Sequence, residues 1–238
     1  MFTVATLNLW GYFDWNTRKD RLLATFESLS PDFVALQEVQ TNLAFSPQPQ
    51  SDFLGDGCNF MYRVFAPTYR RSGQIDDENK MTQDVSYGLA ALSRYPIIRS
   101  ESYFLRQHPA YDESCSVLFV TVAMPQSQIE FCIVHFGNSN LFSELHLKEL
   151  MDLCKARHTS PLIVGDFNHF DLGHFKKDII NGYSISTDVA KYVSMPKDKG
   201  TLDYIAVPNE TYTIKEVRCP EEYVSDHRVV SAIIEQRV

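Results

Sequence analysis

What this sequence has little of narrows it first. It has only five cysteines, Cys58, Cys115, Cys132, Cys154 and Cys219, an odd number with no C-x-x-C spacing. A disulfide framework and a zinc knuckle are therefore both disfavoured, and free thiols in a reducing compartment are the expectation. No apolar run approaches the ~20 residues that a membrane-crossing helix needs, and no basic segment leads into an apolar core behind Met1. A cytoplasmic protein with no membrane span is expected. Repeats at solenoid spacing and low-complexity tracts are absent too. Basic residues are outnumbered, 22 Lys and Arg against 30 Asp and Glu, for a net charge of −8, and they form no basic helix or stripe. That argues against broad, charge-driven binding to nucleic acid, while a local basic patch or a metal-bridged phosphate stays open. Part of the acidity is what a divalent cation would offset.

What is present is an ordinary core and many strands. The 238 residues are 44% hydrophobic and 22% charged, enough for one large domain or two small ones. Apolar and β-branched runs predict strands at 2–9, 33–36, 60–65, 87–93, 117–124, 129–134, 162–164, 202–207, 212–217 and 229–234. A short polar turn between 124 and 129 predicts a hairpin. Helical spacing predicts one helix over 18–29, with Leu22, Leu23, Phe26 and Leu29, and a second over 143–155, with Leu147, Leu150, Met151 and Cys154. Few helices and many strands fit a mixed β-sandwich flanked by helices better than a doubly wound parallel sheet. Three polar stretches, 40–58, 67–86 and 184–200, read as long loops.

The chemistry-bearing residues collect at strand ends. The apolar run Pro161-Leu162-Ile163-Val164 leads into Gly165-Asp166-Phe167-Asn168. Asp166 and Asn168, two residues apart, suit a phosphate site: a carboxylate for a metal or a water, a carboxamide to donate to a phosphoryl oxygen. Asn8 ends the first strand, Glu38 follows the second, His135 ends the fifth apolar run's hairpin partner, and Asp226 and His227 precede the last strand. Asp203 lies within an apolar strand and needs a partner, for which a histidine is the obvious candidate. Each has a bland reading as well: Asn8 and Ser225-Asp226-His227 as turn residues, Glu38 as a solvated strand end, His135 as a hydrogen-bonded rim histidine, Asp203 as half of a structural ion pair.

Taken in order, these segments carry a resemblance. Thr6-Leu7-Asn8-Leu9-Trp10-Gly11, Leu36-Gln37-Glu38-Val39, the stretch 87–97, Gly165-Asp166-Phe167-Asn168, Leu202-Asp203-Tyr204-Ile205 and Ser225-Asp226-His227 resemble the endonuclease/exonuclease/phosphatase superfamily of metal-dependent phosphoesterases. Its members include DNase I-like nucleases, abasic-site endonucleases, sphingomyelinases, deadenylases and inositol polyphosphate phosphatases. The resemblance implies an α+β fold: a four-layer α/β-β/α sandwich, two packed mixed β-sheets flanked by helices, forming a single domain over 1–238 with its site at one end.

It also implies roles. Glu38 is the principal metal carboxylate, with Asn8 beside it and Asp226 completing the shell or a second site. The metal is Mg²⁺, with Mn²⁺ possible, as one ion or two; Mg²⁺ takes oxygen ligands at about 2.0–2.1 Å and keeps several waters. Asp166 positions or deprotonates the attacking water and Asn168 donates to a non-bridging oxygen. His227 contacts the scissile phosphate, with Asp203 holding its imidazole, and His135 stabilises the transition state or assists the leaving group. Departures are visible. Trp10 stands where some DNA-repair members carry an acid, His135 is flanked by Val134 and Phe136 rather than Thr and Leu, and Thr201 and Leu202 replace a basic residue before Asp203.

The implied activity is phosphoester hydrolysis, expected on a phosphodiester in nucleic acid. A small phosphorylated metabolite or a phospholipid head group is the alternative, and a non-catalytic binding module on the same fold ranks below both. Loop candidates for substrate contact are Arg70 and Arg71 (with Asp76, Asp77 and Glu78 nearby), Tyr69 and Tyr192 as stacking residues, Arg106, His108 and Tyr111 along a groove, and Phe53, Leu54 and Phe136 as apolar tips. No protein partner is inferable, and a monomer is expected.

Overall fold

The computed structural model describes residues 1–42, 46, 48–71, 74–75, 81–82, 85–108, 114–173 and 179–237. One six-stranded sheet is built from β1 (Phe2–Asn8), β2 (Phe33–Thr41), β3 (Tyr62–Arg71), β6 (Val85–Ser93), β13 (Tyr212–Arg218) and β14 (Val230–Gln236), in the order β13-β14-β1-β2-β6-β3. Between β3 and β6 lie two-residue strands, β4 (Gln74–Ile75) and β5 (Met81–Thr82), paired with each other. The second sheet holds β7 (Ile97–Phe104), β8 (Ser116–Ala123), β9 (Gln128–His135), β10 (Leu162–Asp166), β11 (Tyr183–Ile185) and β12 (Asp203–Pro208), in the order β11-β12-β10-β9-β8-β7.

Side-chain alternation explains the layering. Along β1, Phe2 and Val4 face the second sheet while Ala5 and Leu7 face outward, and both sets are buried. A strand covered on both faces reads as an unbroken apolar run. Phe33, Ala35, Phe131, Ile133, Leu162, Val164, Ile205 and Val207 fill the inter-sheet core, with Phe33 and Phe131 stacked at 3.9 Å between ring centroids. Outside the first sheet, α1 (Trp15–Leu29) and α2 (Gln50–Gly57) bury Leu22, Phe26 and Leu54 against Leu7, Leu36 and Leu92. Outside the second, α3 (Asn140–Ala156) lays Leu147, Leu150 and Cys154 on Cys132, Val134 and Ile163. The expected α+β four-layer sandwich is the observed fold.

Each sheet contains one parallel pair made by a helical crossover, β1-α1-β2 and β9-α3-β10. In such a unit both strands end on the same side. α1 stops where Ser30 takes a left-handed conformation (φ 47°) with its N–H on Phe26 O, just before Pro31. α3 starts at Ser139, whose hydroxyl accepts from the Phe142 N–H.

Several predicted boundaries need correction. The stretch 40–58 contains α2, whose two glycines hide a helix from propensity. The stretch 67–86 is shorter than expected because β3 continues to Arg71 and β6 begins at Val85. Strands β7 and β11 have no counterpart among the expected strands: both are edge strands, and β7 has no fully buried residue. Asp203 is the first residue of β12 rather than an interior one.

Candidate active site

The inter-sheet core turns polar at one end, and strand register explains how. Asp166 pairs with His135 across β10 and β9 and with Asp203 across β10 and β12, so the three stand in a row. By alternation they continue the face carrying Val164, Ile133 and Ile205, which looks at the other sheet. Asn8 likewise continues the face of Val4 and lies opposite Gln37 of β2. Glu38 leaves the ladder through a register shift between Leu36 and Val39, with φ 53°. Such a bulge re-aims a side chain.

The two rows meet at Asp166. Its Oδ2 accepts from Asn8 Nδ2 at 3.1 Å and its Oδ1 from the Asn168 N–H at 2.8 Å. His227 Nε2 and His135 Nε2 lie 3.8 and 3.7 Å from the same Oδ2. Asn8 Nδ2 also donates to Glu38 Oε1 at 2.9 Å, and His135 Nε2 is 3.9 Å from that oxygen. The Trp10 N–H donates to Asn8 Oδ1 at 3.0 Å, which fixes the carboxamide with its nitrogen between the two carboxylates. His227 Nδ1 is 2.8 Å from Asp203 Oδ2, so Asp203 does find a histidine. The Ser225 hydroxyl lies between Asn8 O (2.7 Å) and Asp226 Oδ1 (3.0 Å) and fastens the last motif to the end of β1.

All eight predicted site residues gather here. One donor has a protein partner as well. Asn168 Nδ2 donates to Phe136 O at 2.8 Å, which leaves its second N–H for a ligand. Among the loop candidates, Tyr192 donates its hydroxyl to Asp203 O and is fixed to β12 instead of offering a stacking face. Arg106 and His108 line a separate groove of about 490 Å³ along α3. Leu54 and Phe136 are core residues, and Phe53 packs on Trp15, so none is an apolar tip. The side chains of Arg70 and Arg71, and all of Asp76, Asp77, Glu78 and Tyr111, lie outside the described residues.

Two supporting residues escaped the sequence reading. Arg18 is fully buried and donates to Phe13 O (2.6 Å), Gly11 O (2.7 Å) and Val224 O (2.9 Å), tying the turn after Asn8 to the segment before Ser225. Its signal was a charge four residues before Leu22 on the apolar stripe of α1. Ser194, also buried, accepts from the N–H groups of Leu202 and Asp203; a serine inside a loop carried no signal.

The charges are unevenly matched. Burial raises the Asp166 carboxyl above the ordinary range; Asp203 adds to this, and His227, His135 and Asn8 oppose it. Burial raises Asp226 as well, with Glu38 adding to it and His227 opposing. Burial alone would discharge His227, but Asp203, Asp166 and Asp226 overcome it and lift the imidazole to about 10. The donor set fits a hard divalent cation. Glu38 is a partly exposed carboxylate with one oxygen held by Asn8, Asp226 is an oxygen donor within its electrostatic reach, and four carboxylates face two imidazoles. Ligand atoms of Asp166, Asp203 and His227 also lie within 4.8 Å of one another, and within that trio His227 Nδ1 and Asp203 Oδ2 already share a hydrogen bond.

The sequence pattern of the Endonuclease/Exonuclease/phosphatase family matches residues 5–227. A search of the curated proteins returned no match. Among solved structures, the chain is similar to an endonuclease/exonuclease/phosphatase from Beutenbergia cavernae (17% identity, TM-score 0.77, 99% of this chain and 71% of that one). It is similar also to the human Nocturnin catalytic domain with bound sulfate (16%, 0.74, 99% and 94%) and to a mannosyl-6-phosphatase from Bacteroides thetaiotaomicron (13%, 0.68, 99% and 100%). At these identities the structural likeness is one of fold, and no helix among the described residues is long and apolar enough to cross a membrane. With its pattern matched over most of its length, the chain belongs to the endonuclease/exonuclease/phosphatase family, whose members hydrolyse phosphoesters and generally depend on a divalent metal.

Proposed function

We propose that this protein is a divalent-metal-dependent phosphodiesterase acting on nucleic acid. The observation that carries the reading is the convergence of Asn8, His135 and His227 on one buried carboxylate, Asp166. A carboxyl held above its ordinary value accepts a proton more readily, which suits Asp166 to take one from the attacking water. His227, charged at neutral pH and oriented through Nδ1 by Asp203, donates Nε2–H to a phosphoryl oxygen. Asn168 donates with its free N–H, and His135 faces the same space from β9 and serves the leaving group. Glu38 and Asp226 would hold the cation, Mg²⁺ or Mn²⁺, with Asn8, whose Nδ2 faces both Glu38 and Asp166, fixing Glu38 in place. When bound, that cation supplies charge neutralisation at the phosphoryl group.

The net charge of −8 favours a second reading, a small phosphorylated metabolite as substrate, and the likeness to a mannosyl-6-phosphatase is in keeping with it. The test is turnover of plasmid and a single-stranded oligonucleotide in Mg²⁺, Mn²⁺ or EDTA, beside Asp166→Asn. Metal-dependent cutting that disappears in the variant supports the nuclease. Hydrolysis of bis-p-nitrophenyl phosphate without any cutting transfers the site to the small-molecule reading. No hydrolysis of any ester with any metal refutes both and leaves a binding module.

A further inference from the structure

The turn that follows Asn8 is built in an expensive way. Trp10 has φ 56°, a left-handed conformation in which a bulky residue is strained. Arg18 spends a fully buried guanidinium on the carbonyls of this turn. The Trp10 N–H holds Asn8 Oδ1 at 3.0 Å, and the next N–H, that of Gly11, bonds Glu38 O at 3.2 Å. The turn is thus fastened to two site residues. What it presents is aromatic: the half-buried Trp10 ring packs on Phe13 at 4.0 Å between centroids, and Phe13 is 46% exposed. Tyr223, 43% exposed and three residues before Asp226, reaches the same turn with its hydroxyl 3.4 Å from Asp14 Oδ2 and Arg21 over its ring. Folding alone gives no reason to hold a tryptophan in a strained backbone beside a polar site, and strain of this kind collects where ligands are clamped.

We propose that Trp10 and Phe13 form a stacking shelf for a flat aromatic ring, such as a nucleobase, esterified to the phosphate at this site. The inference rests on the phosphodiesterase reading and names what that substrate carries. Among the described residues no cation lies over either ring, and such a ring pair recognises a π-face rather than a further phosphate. Base stacking on one aromatic side chain changes affinity by about tenfold or more. The shelf is therefore a specificity element, acting on one substituent of the ester.

The experiment compares two p-nitrophenyl phosphodiesters with the same leaving group, one bearing thymidine and one bearing methyl. Both are assayed in Mg²⁺ with wild type, Trp10→Leu and Phe13→Ala. Trp10→Leu keeps apolar bulk without a ring, and cooperative urea unfolding of each variant verifies its fold. The wild type should favour the thymidine ester by about tenfold in kcat/KM, mostly through KM, and both variants should lose that preference. A wild type that does not discriminate, or a preference that survives in both variants, overturns the shelf. Should neither ester be hydrolysed, the phosphodiesterase reading fails separately. The shelf is then judged by intrinsic tryptophan fluorescence with thymidine 5′-monophosphate against ribose 5-phosphate. Quenching by the nucleotide alone, absent in Trp10→Leu, supports it; equal response to both ligands overturns it.

Discussion

Replacing Asp203 by Asn tests the electrostatics of the site most directly. The 2.8 Å contact between Asp203 Oδ2 and His227 Nδ1 is buried on both sides. His227 stands at about 10 instead of 6.5. At about 1.4 kcal/mol per pH unit, that is roughly 5 kcal/mol of preference for the charged ring, shared among Asp203, Asp166 and Asp226. Removing one member of a buried pair costs about 3–5 kcal/mol. Asn retains an acceptor and two carboxylates remain, so about 3 kcal/mol is expected near pH 6. The sign follows from linkage. Because the folded value lies above the unfolded one, the contribution is whole below about pH 6.5 and is lost as the pH rises through about 10. Urea unfolding in EDTA should show wild type and variant separated near pH 6 and converging near pH 10. NMR of the histidine ring should find His227 charged at neutral pH. A ring titrating at its ordinary value, or a gap of equal size at both ends, would refute the reasoning.

Arg18→Met should lower stability by about 3 kcal/mol, since the buried carbonyls of Gly11 and Val224 and the part-buried one of Phe13 lose charged donors; Arg18→Lys should fall between, because one ammonium cannot replace the guanidinium fork, and a neutral result for Arg18→Met in urea would contradict this. Gly165→Ala should cost more than about 3 kcal/mol, because φ is 149° and a Cβ would meet Val134 O at 2.1 Å; a variant with unchanged melting would show that β9 yields there. Four of the five thiols should react slowly with a disulfide reagent at neutral pH, since burial pushes Cys58 to about 11, Cys154 and Cys219 to about 12, and Cys132 well above its ordinary value. Thiol release timed with and without denaturant checks this, and a second fast native thiol sinks it.

The plainest strands in the sequence were those covered on both faces, while of the edge strands β13 showed nearly whole and β3 only in part. β1, β10 and β12 carry unbroken apolar runs because each has core on either side. The parts that were not legible lie where burial is one-sided or slight, as along β7, whose Arg99, Ser100 and Glu101 look like loop residues. The site was legible for a related reason. A polar residue closing an apolar run stands out, as Asn8, His135 and Asp166 do. Arg18 was not, because its partners are backbone carbonyls, and a carbonyl has no identity in a sequence. Glu38 was found as a letter, but the bulge that turns it toward Asn8 depends on how β2 pairs with β6.

The polar end of the sandwich is shared between sheets that hold each other by apolar contact. Asn8 and Glu38 belong to one sheet, and His135, Asp166 and Asp203 to the other. The Asn8–Asp166 and His227–Asp203 hydrogen bonds stitch across that seam. Alignment of the two layers is therefore written into the reactive geometry itself. A slip of about 1 Å between them, too small to expose the core, would cost about a hundredfold in rate. Activity then serves as a vernier for the sandwich: pressure or mild denaturant that shears the layers should silence the proposed chemistry while circular dichroism still reports two intact sheets.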